Sequence, residues 1–266
     1  MHITDVIADL HAEHAALDAV VAVLSDDQWD TATPSPGWTV SHQIAHLTYF
    51  DHRAADAIAD PDTFPDEVTA LFEAAMAGNE QLDDMTLGPV LDLAVGDRLD
   101  AWRAGRAALD AAARTLGDDD RVAWYGPSMG SKSFLTARLM ETWAHGQDVC
   151  DAVGATREPT ERLRHIAQLG VITRGWSYTN RGLGVPDVEV RVELTSPSDE
   201  TWTWGPPDAA ESVVGPAEDF CLVVTQRRHV DDSALAVTGD AAGEWMRIAQ
   251  AFAGGATDGP VAKADR

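Results

Sequence analysis

Glu141 and His145 stand four residues apart in the stretch Arg138-Leu-Met-Glu141-Thr-Trp-Ala-His145. On a helix that spacing sends both side chains from one face, one turn apart, so a carboxylate oxygen and an imidazole nitrogen could close on a single divalent ion. Both donors suit zinc, and catalytic zinc commonly takes three protein ligands and leaves a further position open. A third ligand must come from elsewhere. His46, in Ser41-His-Gln-Ile-Ala-His46-Leu, lies among apolar residues, where an unpaired imidazole would be poorly solvated. Spacing alone does not choose. His42 and His46 are also four apart, His11 and His14 are three apart, and the chain has nine histidines.

These residues must be positioned by helices. Ile3, Val6, Ile7, Leu10, Leu17, Val20, Val21 and Leu24 recur at helical spacing and predict an amphipathic helix over about 3–24. Pro34-Ser-Pro-Gly37 marks a loop, after which Thr39 is a plausible N-cap for a helix running to about Ala59 and carrying His46. Shorter helical patterns cover about 66–77, and a longer one about 89–116. Ser131 or Ser133 opens the helix of Glu141 and His145, which ends before Gly154, and one more helix is expected over about 160–181. After Gly184-Val-Pro186 the pattern changes. Val188–Leu194 and Thr201–Trp204 alternate with period two around a Ser-Pro-Ser-Asp turn, a hairpin. Helices over about 217–225 and 242–252 and a strand at Leu235–Thr238 complete a small α+β region. The expected domains are therefore 1–184, a helical bundle, and 185–256, the α+β domain, with 257–266 a frayed tail.

Composition narrows the function classes. The chain of 266 residues has 44 acidic and 19 basic residues, a net charge of −25. Phosphate recognition needs a basic footprint, so nucleic acid is not expected as a partner. Two distant cysteines, Cys150 and Cys221, make no disulfide scaffold and fit a reducing, cytoplasmic compartment. No apolar run approaches the roughly 18 residues that span a bilayer, and acids stand where a signal peptide has bases, so no membrane partner is expected.

The stretch Pro36-Gly-Trp38-Thr-Val-Ser-His42-Gln-Ile-Ala-His46-Leu47 resembles the second-helix motif of the DinB-like, mycothiol-dependent maleylpyruvate isomerase family. Arg138-Leu-Met-Glu141-Thr-Trp-Ala-His145-Gly-Gln-Asp148 is similar to its second signature, and Gly215–Phe220, Arg227-Arg228 and Leu235–Asp240 to its C-terminal domain. The resemblance implies an up-down four-helix bundle followed by a small α+β domain. It also implies a metal held by His46 from the second helix and by Glu141 and His145 from the last. Zinc is the expected ion, with nickel, manganese or iron as alternatives. The implied partners are a small electrophilic substrate and a low-molecular-weight thiol, mycothiol, as cosubstrate. His42 and Asp148 are candidates to support a ligand from one turn away, and Trp38, Trp124, Trp143 and Tyr125 could wall a pocket or pack the core. His11, His14, His52, His165 and His229 are read as ordinary histidines. The C-terminal domain could cap the site or pair two copies into a homodimer.

Three ligands with an open position permit thiol ionisation, water activation or simple binding. The resemblance favours a thiol transferase or isomerase; a metal-dependent hydrolase and a non-catalytic metal- or ligand-binding protein are the alternatives. No residue stands out as general base.

Overall fold

The computed structural model describes residues 2–126 and 128–265, so Met1, Pro127 of the Trp124–Pro127 loop and Arg266 of the tail lie outside the described residues. The chain forms two compact units, Met1–Thr156 and Arg157–Arg266.

The first unit contains α1 (Ile3–Val21), α2 (Val40–Ala59), α3 (Phe64–Ala77), α4 (Val95–Ala113) and α5 (Ser131–Val153). Helix α2 packs on α4 and on α5, and α1 closes the ring by touching both. This is the four-helix bundle expected from the motifs. Its centre is apolar because the helical stripes coincide there: Leu17 and Val21 of α1, Val40, Ile44 and Leu47 of α2, Trp102 of α4 and Val149 of α5 form one buried cluster. Burying each such side chain stabilises the fold by roughly 1.5–3 kcal/mol.

Helix α2 starts where its sequence says it should. The Thr39 N–H donates to His42 Nδ1 at 3.2 Å, which satisfies one of the donors exposed at a helix start. Helix α5 stops at Gly154, whose φ of +68° is the left-handed C-cap conformation that glycine adopts without a Cβ penalty.

The helix expected over 89–116 is broken. A short turn, Gly88–Leu91, precedes α4, and Ala94 is extended at ψ 146°. Arg98 bridges the break, donating from Nε to the Leu93 carbonyl at 3.2 Å and from Nη2 to that of Leu91 at 2.9 Å. A helix at Asn79–Thr86, not anticipated, fills the stretch before it.

In the second unit α6 (Leu163–Ile172) and α7 (Arg174–Thr179) replace the single helix expected over 160–181, interrupted at Thr173. Strands β1 (Val190–Thr195), β2 (Thr201–Trp204), β3 (Glu211–Pro216) and β4 (Ala236–Thr238) form one sheet in the order β2-β1-β3-β4, with helices α8 (Ala217–Val224) and α9 (Asp240–Ile248). The β1–β2 pair is the predicted hairpin, and β1 and β3 run parallel.

Helix α6 belongs here and not to the bundle, so the compact unit begins at 157 and the boundary expected at 184 falls inside it. The reason is close packing. Gly170 has no side chain because a Cβ there would come within 2.8 Å of Val224 Cγ2 and 2.9 Å of Phe220 Cε1 on α8. The tail is also held, contrary to expectation: Gln226 Nε2 donates to the Thr257 carbonyl at 3.0 Å, and Asp232 accepts the Lys263 N–H at 3.1 Å. Among the described residues, no helix is long and apolar enough to cross a membrane.

Candidate metal centre

Helices α2 and α5 bring His46, Glu141 and His145 together, with one donor atom of each inside 4.8 Å of the other two. The focus is Glu141 Oε2, which lies 3.1 Å from His145 Nε2 and 3.8 Å from His46 Nε2. The two imidazole centroids are 4.4 Å apart. Trp38 covers them, nearly parallel to His145 at 6.0 Å and tilted over His46 at 5.4 Å, and Phe50 flanks His46 at 4.6 Å.

A directed chain of hydrogen bonds fixes the proton on His145. The Thr33 hydroxyl donates to the Trp38 carbonyl at 3.0 Å, leaving Thr33 Oγ1 to accept from Gln43 Nε2 at 2.9 Å. Gln43 therefore turns its Oε1 to His145 Nδ1, 2.5 Å away, and Nδ1 must be the protonated nitrogen. The other nitrogen, Nε2, then presents a lone pair to a carboxylate oxygen. Two acceptors face one another, an arrangement that requires a shared cation, either a proton or a metal ion. The donor set of two imidazoles and one carboxylate is one that zinc accepts.

Burial pushes the Glu141 carboxyl up, but when the shared cation is a proton on His145 Nε2, hydrogen bonds from His145 and His46 and their positive charge hold it well below the usual carboxylate range. Glu141 is thus ionised at neutral pH and ready to coordinate. His42 stands apart in role. Burial pulls its imidazole down, and its Nδ1 accepts from the Thr39 backbone, so it serves the helix start.

Gln43 is the residue that sequence reasoning passed over. It is fully buried and lies three residues before His46, so helical spacing already put it on the ligand's face. Asp148, a candidate for the orienting acid, accepts from Ser35 Oγ at 3.1 Å. One turn from the site is a second buried polar group: Arg138 Nη2 meets Asp51 Oδ1 at 3.0 Å, and Trp102 Nε1 donates to Oδ2 at 3.2 Å. His14 faces the same Oδ2 at 3.5 Å. Trp124 and Tyr125 pack with Phe50 and Phe64 in an aromatic cluster beside His46.

Residues 10–150, more than half of the chain, match the family described as the mycothiol maleylpyruvate isomerase N-terminal domain. The chain belongs to this family. Two strains of Mycobacterium tuberculosis carry relatives, each named as an uncharacterized protein, that are 45% identical over 248 residues and span 93% of this chain and 95% of theirs. Crystal structures of the mycothiol-dependent maleylpyruvate isomerase, and of a histidine-to-alanine mutant of it, align with a TM-score of 0.58 over 89% of this chain and 93% of theirs. At 17–18% identity that likeness is one of fold. Residues 186–238 match a further family described as wyosine base formation; the segment covers the sheet and α8 and contains none of the metal donors.

Proposed function

We propose that His46, Glu141 and His145 hold one divalent metal ion, zinc in the first instance. We further propose that the protein is a metal-dependent thiol transferase or isomerase, using a low-molecular-weight thiol such as mycothiol on a small electrophilic metabolite. The observation that carries this reading is the lone pair of His145 Nε2 turned on an ionised Glu141 by the Gln43 chain. A metal ion bound there would supply the positive charge that lowers a thiol's pKa, so that thiolate is available at neutral pH.

The chain's own residues do the rest. Gln43 keeps the His145 proton on Nδ1, and so keeps Nε2 free for the ion. Glu141 contributes the negative charge that balances a divalent cation. Trp38 and Phe50 pack against the imidazoles and exclude water from those sides, which strengthens every electrostatic interaction inside. Membership of the mycothiol maleylpyruvate isomerase family supports the thiol and the isomerase chemistry.

The test is elemental mass spectrometry on dialysed protein beside His46→Ala, Glu141→Ala and His145→Ala, followed by mycothiol-dependent turnover of maleylpyruvate and related electrophiles. The expected result is about one zinc per chain, lost in each variant together with turnover. Full metal retention in the variants refutes the ligand set. Metal-dependent ester or amide hydrolysis without thiol replaces the thiol reading with a hydrolase.

A further inference from the structure

We propose, resting on the metal and thiol reading of this centre, that its electrophile is an uncharged aromatic compound whose ring lies against Phe50, Trp124 and Tyr125. The donors themselves are reachable. Trp38 covers the imidazoles and Gln43 backs His145, yet the side chains of His46 and Glu141 stay 21% and 22% exposed.

Helical spacing sets what borders that opening. Phe50 follows His46 by four residues on α2, and Phe134 precedes Glu141 by seven on α5, so both rings leave the faces that carry the donors. The Phe50 centroid lies 4.6 Å from that of His46, and Tyr125 and Trp124 meet Phe50 edge to face at 5.9 and 6.3 Å. Behind them stand Phe64, parallel to Trp124 at 5.6 Å, and Phe134, edge-on to it at 5.1 Å, each 1% exposed. Those two rings are core. Phe50, Trp124 and Tyr125 are only half-buried. An aromatic wall with a dry back and a partly wet front, beside reachable donors, is completed by a ligand that is itself a ring.

Charge excludes an anionic substrate from this wall. Three arginines that touch these helices are engaged. Arg138, one turn before Glu141, gives Nε and Nη2 to Asp51 and is 4% exposed. Arg53 lies 2.7 Å from both Glu67 and Asp56, and Arg98 spends Nε, Nη1 and Nη2 on Leu93, Ser41 and Leu91. A divalent ion would bring two positive charges, of which the Glu141 carboxylate balances one and the thiolate the other. None is left for a substrate carboxylate, and a chain of net charge −25 repels one. The matching reaction is a thiol transfer. The thiolate sulfur bonds to an electron-poor ring carbon, the bond from that carbon to a halide breaks, the halide leaves with the electron pair, and the thiol's proton goes to water.

The experiment is a ligand-observed NMR titration of the full-length protein, with and without zinc. The probe is meta-dinitrobenzene, an unreactive uncharged ring; dinitrobenzoate adds a carboxylate, and nitrocyclohexane lacks the aromatic ring. The probe should bind saturably in both forms, about tenfold or more tightly than either comparator. Trp124→Leu and Phe50→Leu should each weaken it by about 2–10-fold, with zinc content and melting temperature near those of the wild type. With mycothiol, chloride release from chlorodinitrobenzene should exceed that from chlorodinitrobenzoate once each is divided by its uncatalysed rate. Equal or tighter binding of dinitrobenzoate, equal binding of nitrocyclohexane, or wild-type affinity in both variants overturns the proposal. The two readings fail separately. Zinc bound without the ring overturns the aromatic substrate and keeps the metal centre, whereas the ring bound without zinc refutes the metal centre and keeps the aromatic site.

Discussion

Replacing Gln43 by leucine should loosen the metal site while the bundle stays folded. The side chain is fully buried, and leucine approximates its volume, so packing is largely kept. What disappears is the acceptor for His145 Nδ1–H, 2.5 Å away, and the donor to Thr33 at 2.9 Å. His145 is then free to move its proton or turn its ring, and only one of those arrangements offers Nε2 to the ion. Loss of such an orienting partner weakens metal binding about 10–100-fold, roughly 1.4–2.8 kcal/mol. Gln43→Glu keeps an acceptor against Nδ1 and makes the imidazole more basic, so its affinity should equal or exceed that of the wild type. The assay is competition for zinc between the metal-free protein and a chromophoric chelator, with thermal melting to confirm the fold. Wild-type affinity in Gln43→Leu, alongside lost binding in His145→Ala, would refute the reasoning and leave Trp38 packing as the source of orientation.

Acid sensitivity should trace in part to Asp51. Burial alone would raise its carboxyl, but Arg138 and His14 bring it down to about 2 from an ordinary 3.8, so its stabilisation is complete above that ordinary value and is lost as pH falls towards 2. That shift corresponds to about 2 kcal/mol in all, of which about 1 kcal/mol is lost between pH 5 and pH 3; urea unfolding at those two pH values should show that loss, and Asp51→Asn should flatten it while destabilising the protein at neutral pH by about 3–5 kcal/mol. Gly170→Ala should destabilise the second unit by about 1–3 kcal/mol, because its methyl would lie 2.8 Å from Val224 Cγ2. Hydrogen exchange confined to α6, α8 and the sheet would register it, and unchanged exchange there would contradict the packing argument.

Much of the fold could be read from the sequence because its signals are local. Thr39 and Gly154 mark helix ends by backbone chemistry, and Thr201–Trp204 alternates cleanly, so those elements lie where expected. The break at Ala94 was illegible because it depends on Arg98 reaching two carbonyls, a contact that periodicity does not encode. The assignment of α6 to the second unit rests on Gly170 meeting α8, about fifty residues later in the chain. Among site residues, spacing gave Glu141 and His145 as a pair, while His46 needed the family motif. Gln43 was hidden by its type: a buried amide has no charge or reactivity to draw attention, and its role exists only once His145 arrives from another helix.

The three donors come from two helices, so the register between α2 and α5 decides whether a site exists. A slip of one turn, roughly 5.4 Å, would move His46 farther than the 4.8 Å within which the donors now lie. Asp51 is five residues after His46 and Arg138 three before Glu141, so their pairing at 3.0 Å ties the same two antiparallel helices one turn along. A buried ion pair seldom adds net stability over an apolar pair of similar volume, whereas it can hold one register against others. Replacing both partners, Asp51→Leu with Arg138→Met, therefore separates the two roles. Thermal stability should fall only by about the 1–3 kcal/mol that leaving the buried Trp102 indole N–H without its Asp51 acceptor costs, less than breaking the ion pair from one side, because no charge is left unpaired in the core. Zinc affinity should fall, because apolar side chains tolerate small slips that a guanidinium on a carboxylate does not. Unchanged affinity in the double variant would show that the apolar packing of Ile44 and Leu47 in the bundle core sets the register unaided.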